Sequence, residues 1–292
     1  MTAVTPRALR LAAAAFVAVA ARPAAAGAQD ATFAIPTTNP PAVVEQRVAA
    51  TDVRISYHRP RVKGREIFGA LVPWGRVWRT GSDNATRISF SRAVSLNGVP
   101  VPAGAYELFT IPGPEAWTVI VHQDRSQWGS YAYDPAYDVA RISAVPVRLD
   151  APVESFTLSL DDVRGDGATL NISWDRTRVP VALTVDVAAL VDEVEAELRR
   201  AERPPYFLAA MFYWENALDL ARAAELMGLA VEQSPRHMGI LHRQALILAD
   251  LGDTEGALRA ARRSLEEAAA AMPELRDEYT RLNDALIRRL GG

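Results

Sequence analysis

The hydrophobic period of this chain changes once, near Val187, and that change decides what it can fold into. Upstream, apolar residues recur at every second position, the spacing of a strand with one buried face. Val53, Ile55 and Tyr57 alternate along 52–58. Phe156, Leu158 and Leu160 do the same, as do Ala168, Leu170, Ile172 and Trp174, then Val179, Val181, Leu183 and Val185. Asn97-Gly98 lies between Val94-Ser95-Leu96 and Val99-Pro100-Val101, a two-residue hairpin signal. Pro100 and Pro102 put its second strand at an edge, because proline has no N–H for a ladder. Further turns are expected at Pro112-Gly113-Pro114, at Gly165-Asp166-Gly167 and over 175–178. Strands apolar on one face and polar on the other make an antiparallel, half-solvated sheet. Many short ones make a β-sandwich or jelly-roll-like barrel. Phe156, Leu158, Leu160, Leu170, Ile172, Trp174, Val181, Leu183 and Val185 are expected to share its core.

Downstream the period is 3.6. Leu190, Val194 and Leu198 mark an amphipathic helix over 188–203, stopped by Pro204-Pro205. A helical pattern then fills 206–290, with breaks at Pro235 and Pro273. It contains a repeat. Ala217, Leu220, Ala223, Leu226 and Ala230 recur 34 residues on as Leu251, Thr254, Ala257, Ala260 and Ser264, and Asp219 recurs as Asp253. That is the period of tetratricopeptide helix pairs. Two pairs are fewer than such arrays need, so the flanking helices should cap them and the tail should dock on the sandwich or on a partner protein. The expected fold is mainly β: an antiparallel β-sandwich over 43–187 followed by a short α-helical, tetratricopeptide-like domain over 188–292.

Residues 1–28 have the layout of a secretory signal peptide. Arg7 and Arg10 precede an apolar run at 11–21, too short for a bilayer core of about 30 Å. Ala24-Ala25-Ala26 and Ala26-Gly27-Ala28 offer small-residue cleavage sites, with cleavage expected after Ala28 and a flexible segment over 29–42. The expected location is therefore periplasmic or extracellular, with no transmembrane segment. There is no cysteine, which removes disulfide frameworks, thiol nucleophiles and a lipoprotein anchor. The net charge is −3, and neither 29–187 (16 bases, 17 acids) nor 188–292 (13 bases, 18 acids) is basic. A nucleic-acid partner is not expected.

Three segments concentrate polar chemistry. Residues 54–79 hold seven bases, among them Arg59, Arg65, Arg79 and the only lysine of the chain, Lys63, against one acid, Glu66. Arginine forks suit carboxylate or phosphate, so this is either an anion-binding patch or a set of bases paired with acids on neighbouring strands. Trp78-Arg79-Thr80-Gly81-Ser82-Asp83-Asn84 is either a plain turn or a polar loop at a sandwich rim, with Arg79, Asp83 and Asn84 facing a ligand. Gln127-Trp128-Gly129-Ser130-Tyr131-Ala132-Tyr133 carries three aromatics suited to stacking on sugars, bases or arginines. A strand there would put Tyr131 and Tyr133 on one face. His58 and His122 end two strands and could meet near Asp83; His237 and His242 are expected in solvent. No ligand set has metal spacing and no catalytic or cofactor motif is present, so neither metal nor cofactor is expected.

SYHRPRVKGREIFGALVPWGRVWRTGSDNATRISFS at 56–91, PAGAYELFTIP at 102–112, QWGSYAYDPAYDVAR at 127–141 and WENALDLARAAEL at 214–226 together resemble the bacterial family catalogued as domain of unknown function 2911. The resemblance spans roughly 43–270. It implies an exported protein with a short helical tail and assigns no chemistry. His58 stands where that family usually has serine, and Asn84 where an acid is common. Three functions remain open on the residues. The first is a non-catalytic envelope module that binds a polar or anionic ligand, such as a glycan or cell-wall fragment, with a tail that contacts a protein. The second is a hydrolase or lyase using Lys63, Arg79 and Asp83, and the third a purely structural interaction module.

Overall fold

A computed structural model describes residues 36–292; the expected leader lies outside them. Ten strands form two antiparallel sheets. The larger has the order β1 (Pro41–Val48), β2 (Thr51–His58), β3 (Thr86–Phe90), β6 (Gly104–Ile111), β7 (Trp117–Gln123), β8 (Asp138–Ala144). The smaller has the order β5 (Val99–Val101), β4 (Val94–Leu96), β10 (Gly167–Thr184), β9 (Val147–Arg164). β1 begins at Pro41, so the last two residues of the expected flexible segment belong to the sheet. One core lies between the sheets. Val53, Ile55, Ile88, Leu108 and Val119 of the larger sheet meet Leu96, Leu158, Leu170, Ile172 and Val181 of the smaller. All nine residues expected in the core are there, Leu160 and Val185 at its margin. Mainly β with a helical tail is therefore the architecture.

Local chemistry sets the connections. Asn97 and Gly98 both take positive φ, 45° and 80°, as a two-residue hairpin requires, and β5 is an edge strand, as its prolines dictate. The expected turn over 175–178 is absent. β10 runs through it, and the register with β9 shifts on both sides of Asp175, whose φ is 49°. Polar residues that look like a turn in sequence here form a bulge, because the long β9 partner continues to pair beyond them.

Six helices follow: α1 (Val191–Arg200), α2 (Tyr206–Glu215), α3 (Leu220–Gln233), α4 (Met238–Leu251), α5 (Thr254–Ala268) and α6 (Pro273–Arg289). The repeat acquires a physical meaning. Asp219 and Asp253 are the N-caps of α3 and α5, accepting from the backbone N–H of Arg222 at 2.9 Å and of Gly256 at 2.8 Å. Ala223 and Ala257, both fully buried, occupy the same place in the two helices. The helices bury their apolar faces on one another, in clusters separate from the sandwich core. Where tail and sandwich meet, Arg92 makes a two-pronged ion pair with Glu193 at 2.7 and 2.8 Å, and Ala49 and Ala50 of the β1–β2 turn line a groove with Leu190, Val194 and Phe212. Among the described residues, no helix is long and apolar enough to cross a membrane.

His237 is exposed, but His242 is not in solvent. It is 5% exposed and bonds Asn283 Oδ1 at 2.9 Å; Asn283 Nδ2 donates to Ser264 Oγ, which donates to the Met238 carbonyl. This chain ties α4, α5 and α6. Burial, opposed by the Asn283 bond and aided by nearby Arg243, holds the His242 pKa below the ordinary histidine value. The unfolded chain therefore takes up the proton first. The stabilisation is complete above about pH 6.5 and is lost as pH falls through the folded value. Urea melts followed by helical circular dichroism should show the tail weaker at pH 5 than at pH 7.5, and His242→Gln should flatten that dependence. Independently, Leu170→Ala should cost about 2–5 kcal/mol in the same melts, because Leu170 is fully buried between the sheets. A loss below about 0.5 kcal/mol would contradict the register.

Candidate functional site

β6 alternates across its sheet, and its outer positions hold Glu107 and Phe109. Phe109, Ala85 of the segment before β3, and Ile120 of β7 form a small second core on the outer face, roofed by the 124–137 connection. Glu107 holds that roof down. Only 1% exposed, its carboxylate accepts the Gln127 backbone N–H at 2.5 Å and its Nε2 at 2.6 Å. His122 of β7, fully buried, lies beside it, with Nδ1 3.6 Å from Glu107 Oε2. Its ring nitrogens face the carbonyls of Gln123 at 2.8 Å and Asp134 at 3.2 Å. Tyr133 packs edge-on against Phe109 and donates its hydroxyl to Asp138, which also binds Arg141. Burial and the Asp138 carboxylate raise the Tyr133 pKa, which keeps the hydroxyl a donor. Hydrogen bonds to a buried carboxylate are worth about 1.5–3 kcal/mol each, so the connection is firmly seated.

Above this seat the 79–85 and 127–129 segments pair. Ala85 N–H donates to the Gln127 carbonyl and Gly129 N–H to the Asp83 carbonyl, both at 3.0 Å, around an Asn84–Trp128 bridge. The result is an aromatic platform. Trp128 and Tyr131 stack at 5.7 Å with 19° between their planes, and they are 62% and 79% exposed. The Arg79 guanidinium lies 5.4 Å from the Trp128 ring centre and donates to the Asp83 carbonyl at 3.2 Å. Asp83, at φ 59°, accepts from Ser82 and from Asn39 Nδ2. Gly129 takes φ 75°, and a Cβ there would sit 2.7 Å from the Tyr131 ring and 2.9 Å from Arg79 Nη1, so a side chain at this position would displace the ring or the guanidinium.

The fold therefore brings together Arg79, Asp83, Asn84, Trp128 and Tyr131. It leaves the other singled-out residues elsewhere. Trp78 is a core residue, stacked on Trp174 at 5.8 Å and donating its indole N–H to the Gly81 carbonyl. Arg59 is a strut between the sheets, donating to the Phe156 carbonyl and to Thr157 Oγ1. Lys63 and Arg65 belong to a separate turn. Lys63, at φ 50°, precedes Gly64 at 69°, and its own N–H donates to Glu154 while its ammonium is exposed. Arg65 donates to the Val62 and Arg61 carbonyls. Residues 129–132 form a turn, so Tyr131 points outward while Tyr133 packs under the roof. His58 and His122 do not meet, because β3 and β6 lie between their strands. Among the described residues no three metal-ligating side chains come together. Sequence reasoning missed Glu107 and its bond to Gln127. The one signal was an acid inside the otherwise apolar YELFTI strand.

The family described as Protein of unknown function (DUF2911) matches residues 39–183. The sandwich belongs to this family. The DUF2911 match begins two residues before β1 and ends one residue before the close of β10, so it takes in the platform and leaves the helices outside. No curated protein and no solved structure matches the chain. Gly129→Ala in this DUF2911 sandwich should disperse the platform and cost about 1–2 kcal/mol, the penalty of a left-handed residue with a Cβ. Near-ultraviolet circular dichroism would report the lost Trp128–Tyr131 stack. An unchanged spectrum would show that the stack does not depend on Gly129.

Proposed function

We propose that the sandwich is a non-catalytic binding module for a polar or anionic ligand, a glycan or cell-wall fragment, in an exported envelope protein whose helical tail contacts a protein. The observation that carries this is the exposed Trp128–Tyr131 stack with the Arg79 guanidinium over it and Asp83 and Asn84 at its edge. Exposed aromatic surface costs solvation in a free protein, and a stacked pair held by backbone pairing is already ordered for a ligand. A sugar ring offers C–H groups to the aromatic face and hydroxyls or a carboxylate to the polar rim. The hydrolase or lyase alternative required Lys63 beside Arg79 and Asp83. No hydrogen bond or ion pair links Lys63 to them: Lys63 lies on a separate turn with its ammonium exposed, away from the Arg79–Asp83 contact. The purely structural alternative is favoured by no such observation.

Muropeptides and oligouronates titrated into the mature chain should quench tryptophan fluorescence. Trp128→Ala and Tyr131→Ala should each weaken binding at least about tenfold, or 1.4 kcal/mol. Among the described residues Arg79 has no carboxylate within ion-pair distance, so Arg79→Ala should lower affinity while urea stability falls by less than about 1 kcal/mol. Lys63→Ala should change neither. A large loss of stability in Arg79→Ala, with no ligand binding to the parent protein, would end this reading.

A further inference from the structure

A second groove, of about 550 Å³, lies at the β6–β7 turn and shares no residue with the platform. It is walled by Phe68 and Trp74 and by the charged side chains of Glu66, Arg148, Asp175 and Arg176. Trp74 is 43% exposed yet fixed from three sides. Its ring stacks on Phe68 at 6.2 Å and 27°, and Phe68 is itself set edge-on against buried Trp117 at 4.9 Å. The indole lies against Gly69, where φ is 92° and a Cβ would stand 2.5 Å from Nε1. The next residue, Gly75, anchors the loop by donating to the Pro112 carbonyl at 2.8 Å.

The charged residues around this ring do not neutralise one another. The side chains of Glu66, Arg148 and Asp175 make no hydrogen bond or ion pair among the described residues, while the Arg176 guanidinium is turned onto the Asp150 carbonyl. Asp175 is aimed here by the bulge that replaces the expected turn. Two carboxylates oppose a net attraction for anions, and Arg148 opposes one for cations. What the groove offers together is a flat indole face, strong acceptors and a strong donor. A hydroxyl group is both donor and acceptor, and an equatorially substituted sugar presents a flat C–H face.

We propose that this groove is a second, independent carbohydrate site, one that takes a neutral β-linked, gluco-configured sugar on Trp74. The site goes beyond the platform reading and does not rest on it. The test is titration of cellotetraose and chitotetraose into the full mature chain, followed by calorimetry and by saturation-transfer NMR. At least one tetrasaccharide should bind saturably. Trp74→Ala should weaken it tenfold or more, and the exposed-site double variant Glu66→Gln/Arg148→Ala should weaken it several-fold should the tryptophan variant misfold. Tyr131→Ala should leave it unchanged. A neutral ligand also implies the same affinity at 50 mM and 500 mM salt. Absence of binding up to 10 mM of either sugar, or binding that Trp74→Ala retains, overturns the proposal. Binding lost in Tyr131→Ala but kept in Trp74→Ala would assign the sugar to the platform and sink the groove alone. Strong salt dependence would show a charged-ligand site and equally refute it.

Discussion

The stack of Trp78 on Trp174 is the contact on which the rest of the sandwich depends. Trp174 belongs to β10 of the smaller sheet, while Trp78 sits in the long connection between β2 and β3 of the larger. Phe156 of β9, and Phe68 and Trp117, pack edge-on around the pair. Each such contact adds about 0.5–1.5 kcal/mol beyond the area it buries. Their larger consequence is positional. A connection of this length would otherwise pay a high ordering entropy. Nailed at Trp78, it delivers Arg79 to the rim on one side and Phe68 with Trp74 to the groove on the other. Both candidate sites are therefore built from the same aromatic cluster, and a chain without cysteine has no covalent alternative for holding them.

Linear charge clustering proved a poor guide to spatial clustering, for a reason inherent in strands. Alternate residues of β2 point to opposite faces, so Arg54 stands on the outer face beside Glu45. Arg59 and Arg61 lie past the end of β2, where the chain crosses to β9 and finds the Phe156 carbonyl and Glu154. Seven bases in 26 residues of sequence thus spread from β2 along the β2–β3 connection, each with its own partner on β1, on β9 or within the connection, or with solvent. The +6 excess needs no ligand to explain it. Of the cluster, Arg79 is the base that the fold brings to the aromatic platform.

The strands, the Asn97-Gly98 hairpin and the helical repeat were legible because each is a local pattern: a period, a turn chemistry, a cap. Asp219 and Asp253 show how far this reaches, since two equivalent acids 34 residues apart became two equivalent N-caps. The misjudged features share a different cause. The 175–178 stretch has turn chemistry, but a paired β9 overrides it and turns it into a bulge. His242 is buried by Asn283, which lies 41 residues away on another helix. Glu107 meets Gln127 only because the 124–137 connection folds back over the sheet. The Trp128–Tyr131 platform was half legible. Its composition could be seen, but spacing alone did not decide whether Tyr131 and Tyr133 share a face, and a turn separates them. In each case a polar residue takes its role from a partner that no sequence period specifies.

That buried Glu107 also bears on how the platform can work. A carboxylate 1% exposed carries a desolvation penalty, offset here by two N–H donors from Gln127. An apolar residue at this position would pack against Phe109 and Ile120 without that penalty, yet it would give the backbone of Gln127 nothing to hold. Directional bonds specify where the 127–129 segment lies, which apolar contact alone does less well. The segment is then already placed for pairing with 83–85, and Trp128 is held before any ligand arrives. Binding to a surface ordered in this way avoids the entropy of arranging it. On the binding function proposed above, the stability given up in burying this acid is returned as affinity at the rim, and Glu107 acts as a positioning residue for a site it never touches.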